Sequence, residues 1–153
     1  MYAALCLPMI IERIQNLPDD FHLLLEESLK ENFGALKKLQ SAYMEGENTF
    51  SMPGEALFVA RVDGELVGIC GLNIDPYQEC SEIGRVRHLY VAKVHRRSGV
   101  GIRLVSEIEA FAQSTFSRIQ LFTDDPNSGA FYDAIGYKKG GTGKASHVKQ
   151  LKT

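Results

Sequence analysis

The run Val94-His95-Arg96-Arg97-Ser98-Gly99-Val100-Gly101 carries residue types that bind an anion through the backbone. Gly99 and Gly101 have no Cβ to hold a ligand away from the main chain, and glycine reaches positive φ without a clash. Where such a turn opens a helix, several N–H groups lack intrahelical partners and the helix dipole is positive. A phosphate or pyrophosphate is the natural guest there. Arg96 and Arg97 add counter-charge. Two other phosphate patterns fail: G-x-G-x-x-G needs glycine where this chain has Leu104, and a P-loop ending at Gly143-Lys144 needs glycine at Lys138 and Ser or Thr at Ala145. Groups with acid–base chemistry outside the turn are Tyr132, Glu82, His88, Tyr90, Asp124 and His147.

The turn needs a strand before it and a helix after it, and the hydrophobic pattern supplies both. Residues 86–94 (VRHLYVAKV) alternate as a strand, which puts Arg85, Arg87, Leu89 and Val91 on one side. From Val100 onward, Leu104, Val105, Ile108, Phe111 and Ala112 recur at helical spacing. Upstream, residues 9–13 predict a strand, Leu17-Pro18-Asp19-Asp20 a helix start, and Phe21, Leu24, Leu25 and Leu29 that helix's apolar stripe. Gly34 ends it; Leu36, Leu39 and Tyr43 predict a second short helix, and residues 45–54 a loop. Ala56–Val62 and residues 66–74 flank Asp63-Gly64, a dipeptide suited to a type I′ hairpin. Residues 118–123 predict a strand and 126–135 a short helix that Asn127 is expected to cap. Gly136-Tyr137 begins another strand, and residues 147–151 form a last one. An antiparallel hairpin beside strand–helix–strand units makes the class α+β, with a mixed, mainly antiparallel twisted sheet of six or seven strands and about four helices.

With 153 residues, 44% of them hydrophobic and 24% charged, the composition is that of one domain over residues 1–153. A chain of this size buries enough surface to fold without staples. Its cysteines, Cys6, Cys70 and Cys80, are odd in number and form no C-x-x-C pair, so neither a disulfide framework nor a zinc site is expected, and a reducing cytoplasm is. The longest apolar stretch, residues 1–11, lacks a basic start and contains Pro8, so neither secretion nor membrane insertion is expected. A net charge of −2 argues against a nucleic-acid partner. That average hides a division: residues 1–82 hold 14 acidic and 5 basic side chains, and residues 83–153 hold 5 acidic and 12 basic. The cationic half suits a polyphosphate ligand, and the acidic half, with Asp19, Asp20, Glu45 and Glu47, suits a cationic partner.

Arg96-Arg97-Ser98-Gly99-Val100-Gly101 resembles the R/Q-x-x-G-x-G/A signature of the GCN5-related N-acetyltransferases (GNAT). Its neighbours agree in order: Leu89-Tyr90-Val91 is similar to that family's fourth strand, and Phe131-Tyr132-Asp133-Ala134-Ile135-Gly136-Tyr137 to its second motif. The resemblance covers a core from about Ile83 to Lys139, and the two-helix region and hairpin agree with the family layout from Met9 onward. It implies transfer of an acetyl group from acetyl-CoA, or a related acyl-CoA, to a primary amine, with both substrates bound together and no metal. It assigns the pyrophosphate to the backbone of Gly99, Val100 and Gly101 and to Arg96 and Arg97. Backbone at Leu89, Tyr90 and Val91 would pair with the pantetheine arm, one N–H there polarising the thioester carbonyl. Ser98, Arg103 and Asn127 are further cofactor contacts by the same resemblance, and Tyr132 is the acid that protonates the departing CoA thiolate. A thiol of pKa about 8.5 and a phenol of about 10 are matched closely enough for that transfer.

The proton acceptor is less sharply marked. An amine of pKa about 10 arrives charged and must lose a proton before it attacks. Family members with a carboxylate on the fourth strand would place it near Arg85, which cannot serve. Glu82 and His88 stand first instead, Glu82 acting through water, and each has a plainer reading as a solvated loop carboxylate and a structural histidine. Many members carry asparagine seven residues before the tyrosine; here Asp125 stands there and Asn127 lies five before it. Two other classes are compatible with the same turn: a non-catalytic acyl-CoA sensor, and a nucleotide-phosphate binder that prefers ATP or NAD. The acceptor, a small-molecule or peptide amine, is left open, and homodimers are common in the resembling family.

Overall fold

A computed structural model describes residues 8–151, so Cys6 and most of the apolar stretch 1–11 lie outside the described residues. Along the chain run β1 (Met9–Ile14), α1 (Phe21–Lys30), α2 (Ala35–Met44), β2 (Ala56–Val62), β3 (Glu65–Ile74), β4 (Ile83–Val91), α3 (Val100–Ala112), β5 (Arg118–Leu121), α4 (Pro126–Ala134), β6 (Lys138–Lys139) and β7 (His147–Gln150). The strands form one seven-stranded sheet in the order β1-β2-β3-β4-β5-β7-β6. Every neighbouring pair is antiparallel except β4 and β5, giving the mixed α+β architecture expected.

Asp63 and Gly64 have φ of 51° and 79°, the two positive values a type I′ turn requires, and β2 and β3 close into a hairpin around them. Helix α3 packs against one face of that hairpin. A Cβ on Gly68 would lie 2.9 Å from Leu104 Cδ1, so its absence lets helix and sheet approach closely. Leu104, Val105, Ile108 and Phe116 fill this side of the core together with Leu72 and Ile119. Tyr90, whose partner on β3 is Ile69, reaches α1 instead, so α1 lies on the opposite face from α3. There Phe21, Leu24, Leu25, Leu36 and Leu39 are buried as their helical spacing predicts, whereas Leu29, read on the same stripe, lies at the last turn of α1 and is exposed. No helix among the described residues is long and apolar enough to cross a membrane.

Two departures from regular sheet geometry open the middle of the sheet. The alternation expected along β4 breaks: Arg87 pairs with Gly71 and Tyr90 with Ile69, so His88 and Leu89 together oppose Cys70 in a β-bulge. His88 takes φ of 61° to make it. Beyond the bulge it is Tyr90 that continues the face of Arg85 and Arg87, whereas Val91 turns to the other, correcting the shared face read from the sequence. Secondly, β4 and β5 pair only over Ile83–Arg118, Gly84–Ile119 and Arg85–Gln120 and then part, because Leu121 pairs with His147 of β7 alone. A buried network fixes the junction from which they diverge. Arg85 Nε lies 3.2 Å from Asp75 Oδ2, and Arg85 Nη2 donates to the Lys144 carbonyl at 3.0 Å. Gln120 joins Asp75 to Thr142 in the loop between β6 and β7.

Candidate functional site

The gap between the diverging strands is a cleft of about 810 Å³ bounded by Leu89, Tyr90 and Val91, by the turn after β4, and by α4. Gly99 caps α3 with φ of 89°, and a Cβ there would meet no atom within 4 Å, so the backbone lies open to the cleft. The first N–H groups of α3 have no intrahelical acceptor and no side-chain cap, which makes this turn an anion cradle. Arg97 lines the same cleft, with φ of 64°, and has no hydrogen-bond or ion-pair partner among the described residues.

Arg96 is held differently. Its guanidinium donates to Glu31 through Nη1 at 3.1 Å and Nη2 at 2.5 Å, its Nε donates to the Val91 carbonyl at 2.9 Å, and its Cζ stands 5.3 Å from the centre of the Tyr90 ring. The Arg96 contact and the Tyr90 hydroxyl hold the Glu31 carboxyl below the usual carboxylate range. Tyr90 Oη lies 2.6 Å from Glu27 Oε2 and 2.5 Å from Glu31 Oε1; burial and these two carboxylates raise its pKa, so it stays protonated and is no base. Glu27 Oε2 also accepts from the Lys93 backbone N–H at 3.1 Å. The C-terminal end of α1 thus clasps the turn. The Ser98 hydroxyl donates to the His95 carbonyl within the turn, the Val100 side chain is buried in the core, and Arg103 extends towards the Met9 carbonyl. None of these three side chains forms part of the cleft wall, and only the Val100 backbone stays at the cradle.

On the far wall, Asp125 Oδ2 accepts from the Ser128 backbone N–H at 3.2 Å and its hydroxyl at 3.1 Å, so Asp125 caps α4. Asn127, expected as the cap, sits inside the first turn and faces the cleft. Tyr132 reaches the cleft from α4, its ring 5.0 Å from Phe131 and 5.3 Å from Tyr137. Its hydroxyl has no hydrogen-bond partner among the described residues, and burial, with Cys70 nearby, pushes its pKa up. His147 supports this packing from β7, with Nδ1 2.9 Å from Ser146 Oγ and Nε2 3.2 Å from Asp133 Oδ1.

A second pocket, of about 470 Å³, lies beside the bulge. Half-buried Arg87 and His88 of β4 meet Lys37 and Lys38 of α2 there, with Glu45 and Glu47 from the turn after that helix. Burial lowers the His88 pKa to about 4; Arg87 and Lys38 push the same way, against an opposing contact with the Ala35 backbone. Glu82 is placed at neither pocket. It is exposed at the other end of β4, its carbonyl accepting from the Ser117 N–H at 2.8 Å, and it lies six positions before His88, roughly 20 Å along an extended chain. The acidic surface read near the first two helices also resolves differently: Asp20 is paired with Arg61 at 2.9 Å, and Glu45 and Glu47 share their pocket with three cations. Among the described residues no group of His, Cys, Asp and Glu is placed to hold a metal ion.

The model of the Acetyltransferase (GNAT) family matches residues 19–137. The chain belongs to the GNAT acetyltransferase family. No curated protein matches this chain. Among solved structures it is similar to a protein from Exiguobacterium sp. 255-15 described as a candidate acetyltransferase, at 26% identity over 94% of this chain and 93% of that one, with TM-score 0.82. An acetyltransferase from Streptococcus agalactiae matches at 21% identity over 94% and 98%, TM-score 0.71. The GNAT family N-acetyltransferase YhbS from Escherichia coli, solved in complex with CoA, matches at 18% identity over 99% and 86%, TM-score 0.70. In this GNAT chain the signature turn, Tyr132 and the backbone of β4 converge on one cleft. Sequence reading missed Glu31, which faces that cleft from 65 residues before Arg96, and it left Arg87 as one more residue on a strand face. A local pattern could not reveal Glu31; an arginine on a strand face turned towards an amphipathic helix was the available sign for Arg87.

Proposed function

We propose that this protein is an N-acetyltransferase that moves the acetyl group of acetyl-CoA, or a related acyl-CoA, to a primary amine by direct attack in a ternary complex. The observation that carries this reading is the bulge. It sets His88 in one pocket and the next residue, Leu89, in the other, so that two ligands approach from separate compartments and meet at one stretch of backbone. The open turn at Gly99 to Gly101 with Arg97 holds the pyrophosphate, and Leu89 to Val91 align the pantetheine arm. The bulge frees backbone N–H from the sheet ladder, and one such N–H polarises the thioester carbonyl.

Tyr132 protonates the sulfur as the C–S bond breaks. Its raised pKa keeps it a proton donor, and the thiolate forms in the same desolvated cleft, which raises that group's proton affinity as well. A histidine with pKa about 4 holds a proton poorly, so His88 accepts a hydrogen bond from the amine without storing its proton. Arg87 and Lys38 instead lower the pKa of an ammonium bound beside them, and the proton passes to water. Catalysis then rests on positioning and carbonyl polarisation.

Calorimetric titration with acetyl-CoA, CoA, ATP and NAD, followed by measurement of thiol release with an amine panel, tests this reading. Selective binding of acetyl-CoA and amine-dependent thiol release are expected. Binding without release from any amine would replace the enzyme with an acyl-CoA-binding module, and preference for ATP or NAD would overturn the CoA assignment.

A further inference from the structure

Arg87 stands apart from the chain's other sheet arginines. Arg13 donates to the Glu55 carbonyl, Arg61 is paired with Asp20, Arg85 with Asp75, and Arg118 donates to Thr142. Arg87 is half-buried, faces the pocket beside the bulge, and has no hydrogen-bond, ion-pair or aromatic partner among the described residues. A guanidinium offers five N–H donors in a planar fork, and withdrawing it from water without an acceptor costs free energy that a ligand can recover. The group that matches this fork is a carboxylate, which accepts two parallel hydrogen bonds.

We propose that this pocket takes an amine bearing a carboxylate, with Arg87 binding the carboxylate, so that the acceptor is an amino acid and not a polyamine. The inference rests on the acetyltransferase reading and names its acceptor class. Position supports it, because Arg87 directly precedes the bulge. A carboxylate held there leaves an amine only a few atoms away, beside the backbone where the thioester carbonyl lies. Charge supports it as well: Lys37 and Lys38 line the same pocket, and Lys38 is near enough to shift His88. A polyamine would set its own cations against three others. Glu45 and Glu47 compensate part of this field and give the pocket polar acceptors for the remainder of the substrate.

Two readouts on the full chain separate this inference from the reading beneath it. Thiol release from acetyl-CoA is followed with the twenty standard amino acids, their carboxamides and spermidine, for wild type, R87A and R87K. At least one amino acid is expected to exceed its carboxamide by tenfold or more in kcat/KM. R87A should abolish that preference by raising the acceptor KM at least tenfold with the acetyl-CoA KM within twofold, and R87K should restore part of it. Faster turnover of carboxamides or spermidine, or an unchanged preference in R87A, overturns the proposal. Independently of turnover, the His88 imidazole resonances of the CoA-saturated protein are followed by NMR as the same compounds are added. A saturable shift with a carboxylate-bearing amine that disappears in R87A supports the pocket even if no thiol is released, in which case acetyl transfer alone fails. No shift with any amino acid overturns the pocket assignment.

Discussion

Glu31 grips Arg96 through both terminal nitrogens, so the arginine expected to meet a phosphate already has a carboxylate for a partner. Arg97, next in the chain, has none among the described residues. The two arginines of the signature therefore differ: Arg96 ties the turn to the end of α1, and Arg97 is the one left to serve the proposed pyrophosphate. R97A is expected to weaken acetyl-CoA binding about tenfold, the worth of one charge-assisted contact of roughly 1.5 kcal/mol. R96A should weaken it less than threefold, while E31Q, which releases Arg96, should tighten it. Calorimetry at low and high salt checks all three, and equal losses in R96A and R97A would contradict the division.

The cradle itself is tested at Gly99. Its φ of 89° lies where side chains are strained, and the space around it is open, so Gly99→Glu places a negative charge where the pyrophosphate is assigned at a folding cost of roughly 1–2 kcal/mol. The variant should remain folded by circular dichroism and show no measurable affinity for acetyl-CoA. Retained affinity would move the phosphate site elsewhere.

Tyr132→Phe separates binding from chemistry. Because the hydroxyl has no hydrogen-bond partner among the described residues, its removal leaves no group orphaned and stability should change little. Turnover should fall by roughly 100-fold, the range for loss of a positioned proton donor, with the acetyl-CoA KM within about twofold. Steady-state kinetics decides it, and an undiminished kcat would remove Tyr132 from the acid role.

His88 links the pocket to pH. In the unfolded chain it titrates near 6.5 and in the folded protein near 4, so between these values the unfolded state binds a proton that the folded state refuses. Stability is complete above pH 6.5 and falls as pH drops towards 4, by up to about 3 kcal/mol from this residue. Asparagine tolerates the positive φ at this position, so His88→Asn keeps the bulge and removes the titration. Denaturant midpoints at pH 7 and pH 5 should differ more in the wild type than in the variant. An identical pH dependence would place the histidine in contact with water.

Much of the frame is legible in the sequence. Asp63-Gly64 predicts a hairpin because few dipeptides accept two consecutive positive φ values, and the stripes of α1 and α3 predict burial because one face of each is apolar. The turn at Gly99 and the position of Tyr132 come through a resemblance spread over several motifs. The bulge does not show. VRHLYVAKV alternates well enough to read as a regular strand, and its slip goes with pairing to β3 and with the Tyr90 hydroxyl reaching Glu27 of α1 and Glu31 just after it, carboxylates about sixty residues away. Asn127 reads as a cap because asparagine is a good one, yet Asp125 precedes Pro126, which occupies the first helical position, and so it captures the free N–H groups. Glu82 looks close to the chemistry because sequence distance along a strand hides how fast an extended chain travels.

The bulge also partitions the chain. Within the pocket proposed for the acceptor every wall residue outside β4 falls between Lys37 and Asn48, a segment that contributes nothing to the cleft proposed for the donor. Under the proposed reading, Arg87 fixes the acceptor class from the sheet, and one short, contiguous cassette shapes the space for the rest of that molecule. Grafting residues 37–48 from another family member onto this scaffold, with Arg87 kept, is expected to change which carboxylate-bearing amine is preferred and leave the proposed acyl donor in place, so that the two specificities could evolve separately.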